Sequence, residues 1–136
     1  MISIRPATAA DARQMAEIAG GSVSTRELAD WIAAAGTIWH IAEDDGGRVL
    51  GFQSITAGEQ ASETCEIATF LRPNQPLAVG SRLFDQSADA ARAQGYNWID
   101  ARFTKSNHDA QRYYQSHGFR NWSHNGDMQI MRFDLD

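Results

Sequence analysis

Two stretches of this 136-residue chain carry residue types at spacings that could do chemistry. The first, residues 65–81 (CEIATFLRPNQPLAVGS), changes from strand to loop to helix. Residues 65–71 are apolar with β-branched and aromatic members, and Arg72-Pro73-Asn74 break the run with turn chemistry. From about Pro76, the residues Val79, Leu83, Phe84, Ser87, Ala88 and Ala91 recur at helical spacing opposite a polar stripe, and Gly95 stops the helix. A loop entering a helix leaves backbone N–H groups without intrahelical partners, and the helix dipole adds positive potential there. The chemistry implied is anion binding. The second stretch, residues 106–119, reads as a short helix capped by Ser106 or Asn107, with Ala110, Tyr113, Tyr114 and His117 on one side and Gly118 at its exit.

Other candidate groups are weaker. His40, His108, His117 and His124 share no metal-ligand spacing, and neither H-E-x-x-H nor C-x-x-C occurs, so no metal is expected. His108 reads as an exposed helix-cap residue. Cys65, the single cysteine, sits in an apolar strand with nothing nearby to stabilise a thiolate, and it reads as a small buried hydrophobe in a reducing compartment. Trp39, Trp98 and Trp122 suit a core better than a substrate cage.

The elements that must position these stretches follow from periodicity and caps. Residues 2–5 form a strand stopped by Pro6. Thr8 with Asp11 opens a helix that Gly20-Gly21 end, and Ser24 with Glu27 opens a second that Gly36 ends. Strands at 37–43 and 48–56 flank the turn Asp44-Asp45-Gly46-Gly47, and polar residues 57–63 lead into the organising strand. Residues 96–103 form a strand that can lie parallel to it through the intervening helix. A hairpin around Asn125-Gly126 closes the chain. The predicted order is β-α-α-β-β-β-α-β-α-β-β, in one domain spanning 1–136.

Composition narrows the partners. A formal net charge of −5 argues against a phosphate-backbone surface, so no nucleic acid is expected. No apolar run approaches the ~18 residues of a membrane span. The N-terminal Met-Ile-Ser-Ile-Arg lacks the pattern of a signal peptide, which gives a cytoplasmic expectation with no membrane partner.

Gln75-Pro76-Leu77-Ala78-Val79-Gly80 resembles the Q/R-x-x-G-x-G/A signature with which the GNAT N-acetyltransferase superfamily holds the pyrophosphate of acetyl-CoA. Ala78 stands where the family usually has Gly; were positive φ needed there, the methyl group would cost about 1–2 kcal/mol. Asn107-x-x-Ala110-x-x-x-Tyr114-x-x-x-Gly118-Phe119 resembles the N-x-x-A-x-x-x-Y-x-x-x-G-F pattern of the family's last helix. The element order also resembles that fold, which implies an α/β (α+β) architecture with a central mixed sheet flanked by helices.

The resemblance implies acetyl-CoA as acyl donor. Its pantetheine would pair with a splayed strand edge at Phe70 and Leu71, and its pyrophosphate would sit on the loop and helix start at Gln75, Leu77, Ala78, Val79, Gly80 and Ser81. Asn107 would cap the helix beside the cofactor. Tyr114 would face the thioester sulfur as catalytic acid or hydrogen-bond donor, while Tyr113 points into packing. A glutamate base in some members falls on Glu66, whose same-face neighbours Ala68 and Phe70 make a semi-apolar setting that raises a carboxylate's pKa; Glu63 is the alternative. Trp31 lies on the helix pair that forms the acceptor cleft.

The expected reaction is direct attack by the primary amine of a small molecule, an amino acid among the candidates. An α-amino group of pKa ~8 costs only about 1.4 kcal/mol to deprotonate at pH 7, against about 4.6 for a lysine-type amine. The alternatives are a protein N-terminal or lysine acetyltransferase, and a non-catalytic acetyl-CoA-binding or structural module. A homodimer is compatible with the family.

Overall fold

The expected order of seven strands and four helices is present in the computed structural model, which describes residues 1–58 and 63–135. The strands are β1 (Ser3–Pro6), β2 (Thr37–Glu43), β3 (Val49–Ala57), β4 (Thr64–Leu71), β5 (Trp98–Thr104), β6 (Arg120–Asn125) and β7 (Met128–Asp134). The helices are α1 (Ala12–Ile18), preceded by a 3-10 turn at Ala9–Asp11, then α2 (Thr25–Ala33), α3 (Leu77–Ala93) and α4 (His108–Ser116). Residues 59–62 of the polar linker lie outside the described residues.

Local chemistry places these boundaries. The Thr8 backbone N–H donates to Asp11 at 2.8 Å, and Ser24 and Glu27 form the reciprocal pair expected at the start of α2. Asp44 Oδ1 accepts from the backbone N–H groups of Gly46 and Arg48, closing the β2–β3 turn. Two expectations shift. Pro6 lies inside β1, which an edge strand tolerates because one side of it needs no donor. Pro76 is the N-cap of α3, so the helix begins at Leu77.

The strands form one mixed sheet in the order β1-β2-β3-β4-β5-β7-β6, antiparallel throughout except for the parallel β4–β5 pair. Residues alternate between its two faces. On one face Ile55, Cys65, Ile67, Phe84 and Ala88 of β3, β4 and α3 pack with Tyr114 of α4. On the other, Met15 and Leu28 of α1 and α2 pack with Ile41, Val49 and Phe52. The central strands therefore carry a core on each side. Among the described residues, no helix is long and apolar enough to cross a membrane.

Candidate active site

Strands β4 and β5 part company half-way. Their register runs from Thr64 opposite Trp98 to Ile67 opposite Ala101 and stops, although β5 continues to Thr104. From Ala68 to Leu71, β4 keeps β3 as its neighbour but has no strand on its other side. A central strand with unpaired backbone groups is a row of donors and acceptors available to an extended, amide-bearing molecule.

Beyond the end of that edge, α3 begins without a side-chain cap, because its N-cap is Pro76. The loop before it turns at Asn74, whose φ is +63°, a conformation asparagine tolerates. Ala78 lies in the helix and not at positive φ, so the strain considered for its methyl group does not arise. A cleft of about 680 Å³ opens over this helix start, between Gln75, Leu77, Gly80 and Ser81 on one side and Arg112 and Tyr113 on the other. Leu77 is 91% exposed. Val79 is fully buried against Leu83, Ala42 and Leu50, so its side chain serves the core. Gly80 is glycine for a packing reason: a Cβ there would lie 2.7 Å from Tyr113 Cε1.

A second cleft, about 220 Å³, runs between β4 and α4 and is lined by Thr69, Leu71, Asn107, Ala110, Tyr113 and Tyr114. Asn107 Oδ1 accepts from the Ala110 N–H at 3.1 Å, so it caps α4 as expected and fixes the register of both tyrosines. The Gly80 carbonyl can only accept, so the Tyr113 hydroxyl donates to it at 2.8 Å and in turn accepts from Gln53 Nε2 at 2.7 Å. This sets the amide orientation of Gln53, whose Oε1 accepts from Ser87 Oγ at 2.7 Å and whose Nε2 also donates to Thr69 Oγ1 at 3.1 Å. The Tyr114 hydroxyl donates to the same Thr69 oxygen at 2.9 Å.

This network has a chemical consequence. Tyr114 and Thr69 bring two hydroxyl hydrogens, and their mutual bond consumes one. Because the Gln53 N–H already occupies a lone pair of Thr69, one O–H is left for the cleft, on Thr69 as drawn or on Tyr114 after a simple rotation of both hydroxyls. Burial pushes the Tyr114 phenol above its ordinary pKa, with the Thr69 hydrogen bond opposing. An unperturbed phenol facing a thiol already gives its proton up uphill by about 2 kcal/mol, so Tyr114 is suited to hydrogen-bond a developing thiolate.

These features coincide with a sequence match to the Acetyltransferase (GNAT) family over residues 8–119. The chain belongs to that family. No curated protein matches it. The GNAT fold is shared with the yncA protein of Salmonella typhimurium, whose structure contains its cofactor acetyl-CoA: TM-score 0.87, 22% identity, covering 99% of this chain and 94% of that one. An N-acetyltransferase from Staphylococcus aureus Mu50 gives TM-score 0.87 at 18% identity, covering 100% and 99%. A GNAT superfamily phosphinothricin acetyltransferase from Sinorhizobium meliloti, in complex with acetyl-CoA, gives 0.85 at 20% identity, covering 98% and 88%.

In this GNAT chain two of the remaining sequence-derived residues, Glu66 and Phe70, fall on the other face of β4. Glu66 shares that face with Ala68 and Phe70, as expected, but its Oε1 accepts from Arg102 Nε at 2.7 Å. Among the described residues its second oxygen has no bonded partner. Glu63 lies in the turn before β4, about five residues or roughly 17 Å along the strand from the point where β4 and β5 separate. Phe70 turns its ring away from both clefts, stacking on Phe52 at 4.8 Å, and only its backbone belongs to the free edge. Leu71 lines both of the clefts described above. Trp31 of α2 is 43% exposed and stacks on Trp39 at 6.3 Å.

Tyr113 departs from expectation. It packs against α3, but its hydroxyl also joins the network that holds Thr69. Sequence reading missed Gln53 and Thr69, and it placed Ser87 on the packed face of the helix without seeing its hydrogen bond to Gln53. Their only signal was polarity out of place: Gln53 is fully buried within an apolar strand, and Ser87 sits among the apolar positions of α3. Cys65 is inert, its thiol pushed up to about 12 by burial and the nearby Asp100 and Glu66 carboxylates. Among the described residues, no cluster of three or more His, Cys, Asp or Glu is placed to hold a metal.

Proposed function

We propose that this acetyltransferase moves the acetyl group of acetyl-CoA to the primary amine of a small molecule by direct attack in a ternary complex, with residues 1–136 acting as one catalytic unit. The observation that carries the reading is the free edge of β4 after Ile67, bordered by Tyr114 on one face and by the uncapped start of α3 at its end. Phe70 and Leu71 offer backbone groups to the pantetheine amides. The backbone at Leu77 and Ala78, with the side chains of Gln75 and Ser81, receives the pyrophosphate.

In the reaction the amine nitrogen bonds to the thioester carbon, the C–S bond breaks, and the thiolate leaves. An N–H of the edge stabilises the developing oxyanion. The spare O–H of the Tyr114–Thr69 pair hydrogen-bonds the thiolate as it forms, the thiolate takes its proton from solvent on release, and the proton lost by the amine goes to the free oxygen of Glu66, directly or through water. Glu66 is preferred to Glu63 on distance. A cytoplasmic setting is consistent with an unpaired, buried cysteine.

Calorimetric titration with acetyl-CoA, followed by thiol release in the presence of mixed amines, tests the reading. Binding with amine-dependent thiol release is expected. Binding without turnover of any amine, including peptide amines, would make the chain a non-catalytic binding module; release only with peptide or protein amines would move the acceptor to a polypeptide.

A further inference from the structure

The face of the sheet opposite the donor clefts holds a pocket of about 510 Å³ between α2 and strands β2 to β4, within the ~300–1,000 Å³ typical of small-molecule sites. Its walls are a ladder of rings: Trp31 on Trp39, Trp39 on Phe52 at 6.2 Å, and Phe52 on Phe70 at 4.8 Å. The ladder starts on a half-exposed α2 residue and ends on the stretch of β4 that has lost its β5 neighbour. The polar lining consists of the hydroxyl residues Thr37, Ser54 and Thr56, and no charged side chain lines the pocket. The nearest charge on this face of β4 is Glu66, in register with the lining residue Thr56 and two residues from the lining residue Ala68. The adjacent cation, Arg102, is already bonded to that carboxylate.

A ligand carboxylate in this pocket would be desolvated without a cation to pair with. An amine would not, because its nitrogen can approach Glu66 and the splayed edge while the apolar wall favours its neutral, attacking form. From this we infer that the acceptor is a primary amine carried on an aryl or branched-alkyl body without a carboxylate, its apolar part seated on the Trp31–Trp39–Phe52–Phe70 ladder and its nitrogen directed along Ala68 toward the free edge of β4. The inference rests on the acetyl-transfer reading and narrows its acceptor away from amino acids.

Matched amines test it. Thiol release with the intact chain is compared for 2-phenylethylamine and phenylalanine, which differ by one carboxylate, and for spermidine as a polar polyamine. The expected result is a kcat/KM for 2-phenylethylamine at least ~100-fold above either of the others, the size of effect that an unpaired buried charge produces. Trp31→Ala should raise the KM for 2-phenylethylamine at least ~10-fold and leave the KM for acetyl-CoA unchanged. Preference for phenylalanine or spermidine, a Trp31→Ala variant with unaltered amine KM, or a Trp31-dependent dimer that acetylates none of the three would overturn the inference. Calorimetry with acetyl-CoA separates the two levels: binding with the wrong amine preference removes only the acceptor class, whereas loss of acetyl-CoA binding removes the transfer reading beneath it.

Discussion

The two faces of β4 are built on opposite principles. Toward α3 and α4, Thr69 is held by Gln53 and Tyr114, and Gln53 in turn by Tyr113 and Ser87, in a part-buried network whose donors and acceptors are nearly all paired. Toward α1 and α2, Phe70 and Ala68 face an open apolar pocket in which one indole N–H, that of Trp39, is buried with no partner among the described residues. Adjacent residues of a strand point to opposite faces, so a single residue step along β4 changes the chemistry completely. A paired network fixes atoms at set positions, as a step common to every turnover requires. An apolar wall discriminates by shape and desolvation, and it can be altered without touching that step. On the proposed reading the two faces divide the labour: the network face bears on rate and the apolar face on choice of substrate.

The sharpest way to break this comparison is Tyr114→Phe. The ring keeps its contacts with Phe103 and Phe119, and only the hydroxyl is lost. Transition-state stabilisation should disappear while ground-state binding remains, so kcat should fall roughly 10- to 1000-fold with acetyl-CoA affinity nearly unchanged. Full activity would assign the stabilisation of the leaving sulfur to water.

Thr69→Val asks whether the network, rather than the phenol alone, sets the rate. It keeps the shape of the side chain but leaves a Gln53 N–H and the Tyr114 hydroxyl without their shared acceptor, a stability cost of about 1–3 kcal/mol. We expect a kcat loss of about 10-fold in the folded variant, consistent with one lost hydrogen bond to an oriented group, and recovery in Thr69→Ser. If Ser and Val variants behave alike, Thr69 only packs.

On the same face, the α3 start can be tested without disturbing the core. Gly80 is unsuitable because any side chain meets the Tyr113 ring. Leu77→Asp instead places a carboxylate on an exposed position at the proposed pyrophosphate site and should weaken acetyl-CoA binding about 10-fold at low salt, less at high salt. Leu77→Asn, of similar size and uncharged, should bind nearly as the parent. Equal affinities for all three would remove the helix start from the binding site.

How much of this was legible beforehand follows from distance along the chain. Caps are local: Ser24 with Glu27, and Asn107 with Ala110, are three residues apart, and the structure realises each of them. Strands and helices follow from equally local periodicity, which is why the element order could be written from sequence. The network could not. Gln53 bonds Thr69, Ser87 and Tyr113 at separations of 16, 34 and 60 residues, and only the assembled sheet brings them together. The ring ladder draws on α2, β2, β3 and β4 and was hidden for the same reason. Glu66 shows the intermediate case: its face was readable from alternation, but its ion pair with Arg102, 36 residues on, was not.

The smallest effect expected concerns stability, and it checks whether the catalytic comparison can be measured free of unfolding. His40 on β2 is 8% exposed, and burial alone holds its pKa below the usual value; His117 is lowered in the same way, with Asp85 opposing. For such a group the folded state prefers the neutral form. As pH falls below ~6.5 the unfolded chain takes up protons that the folded chain refuses, so stability is full above that value and declines below it, by at most about 1.4 kcal/mol per pH unit for one proton. Asp11 acts lower: burial raises its pKa, but the hydrogen bonds from Arg5 and Thr8 outweigh burial and hold it below the carboxylate range, so its contribution fades only as pH drops past ~4. Urea denaturation at pH 7.5 and 5.5 should therefore show a lower midpoint at 5.5, and His40→Gln should shrink the difference. A difference unchanged in His40→Gln would assign the acid sensitivity to His117 and leave His40 protonated without cost. Because neither histidine touches the Tyr114–Thr69 pair, kcat measured between pH 6.5 and 8 should be free of this effect.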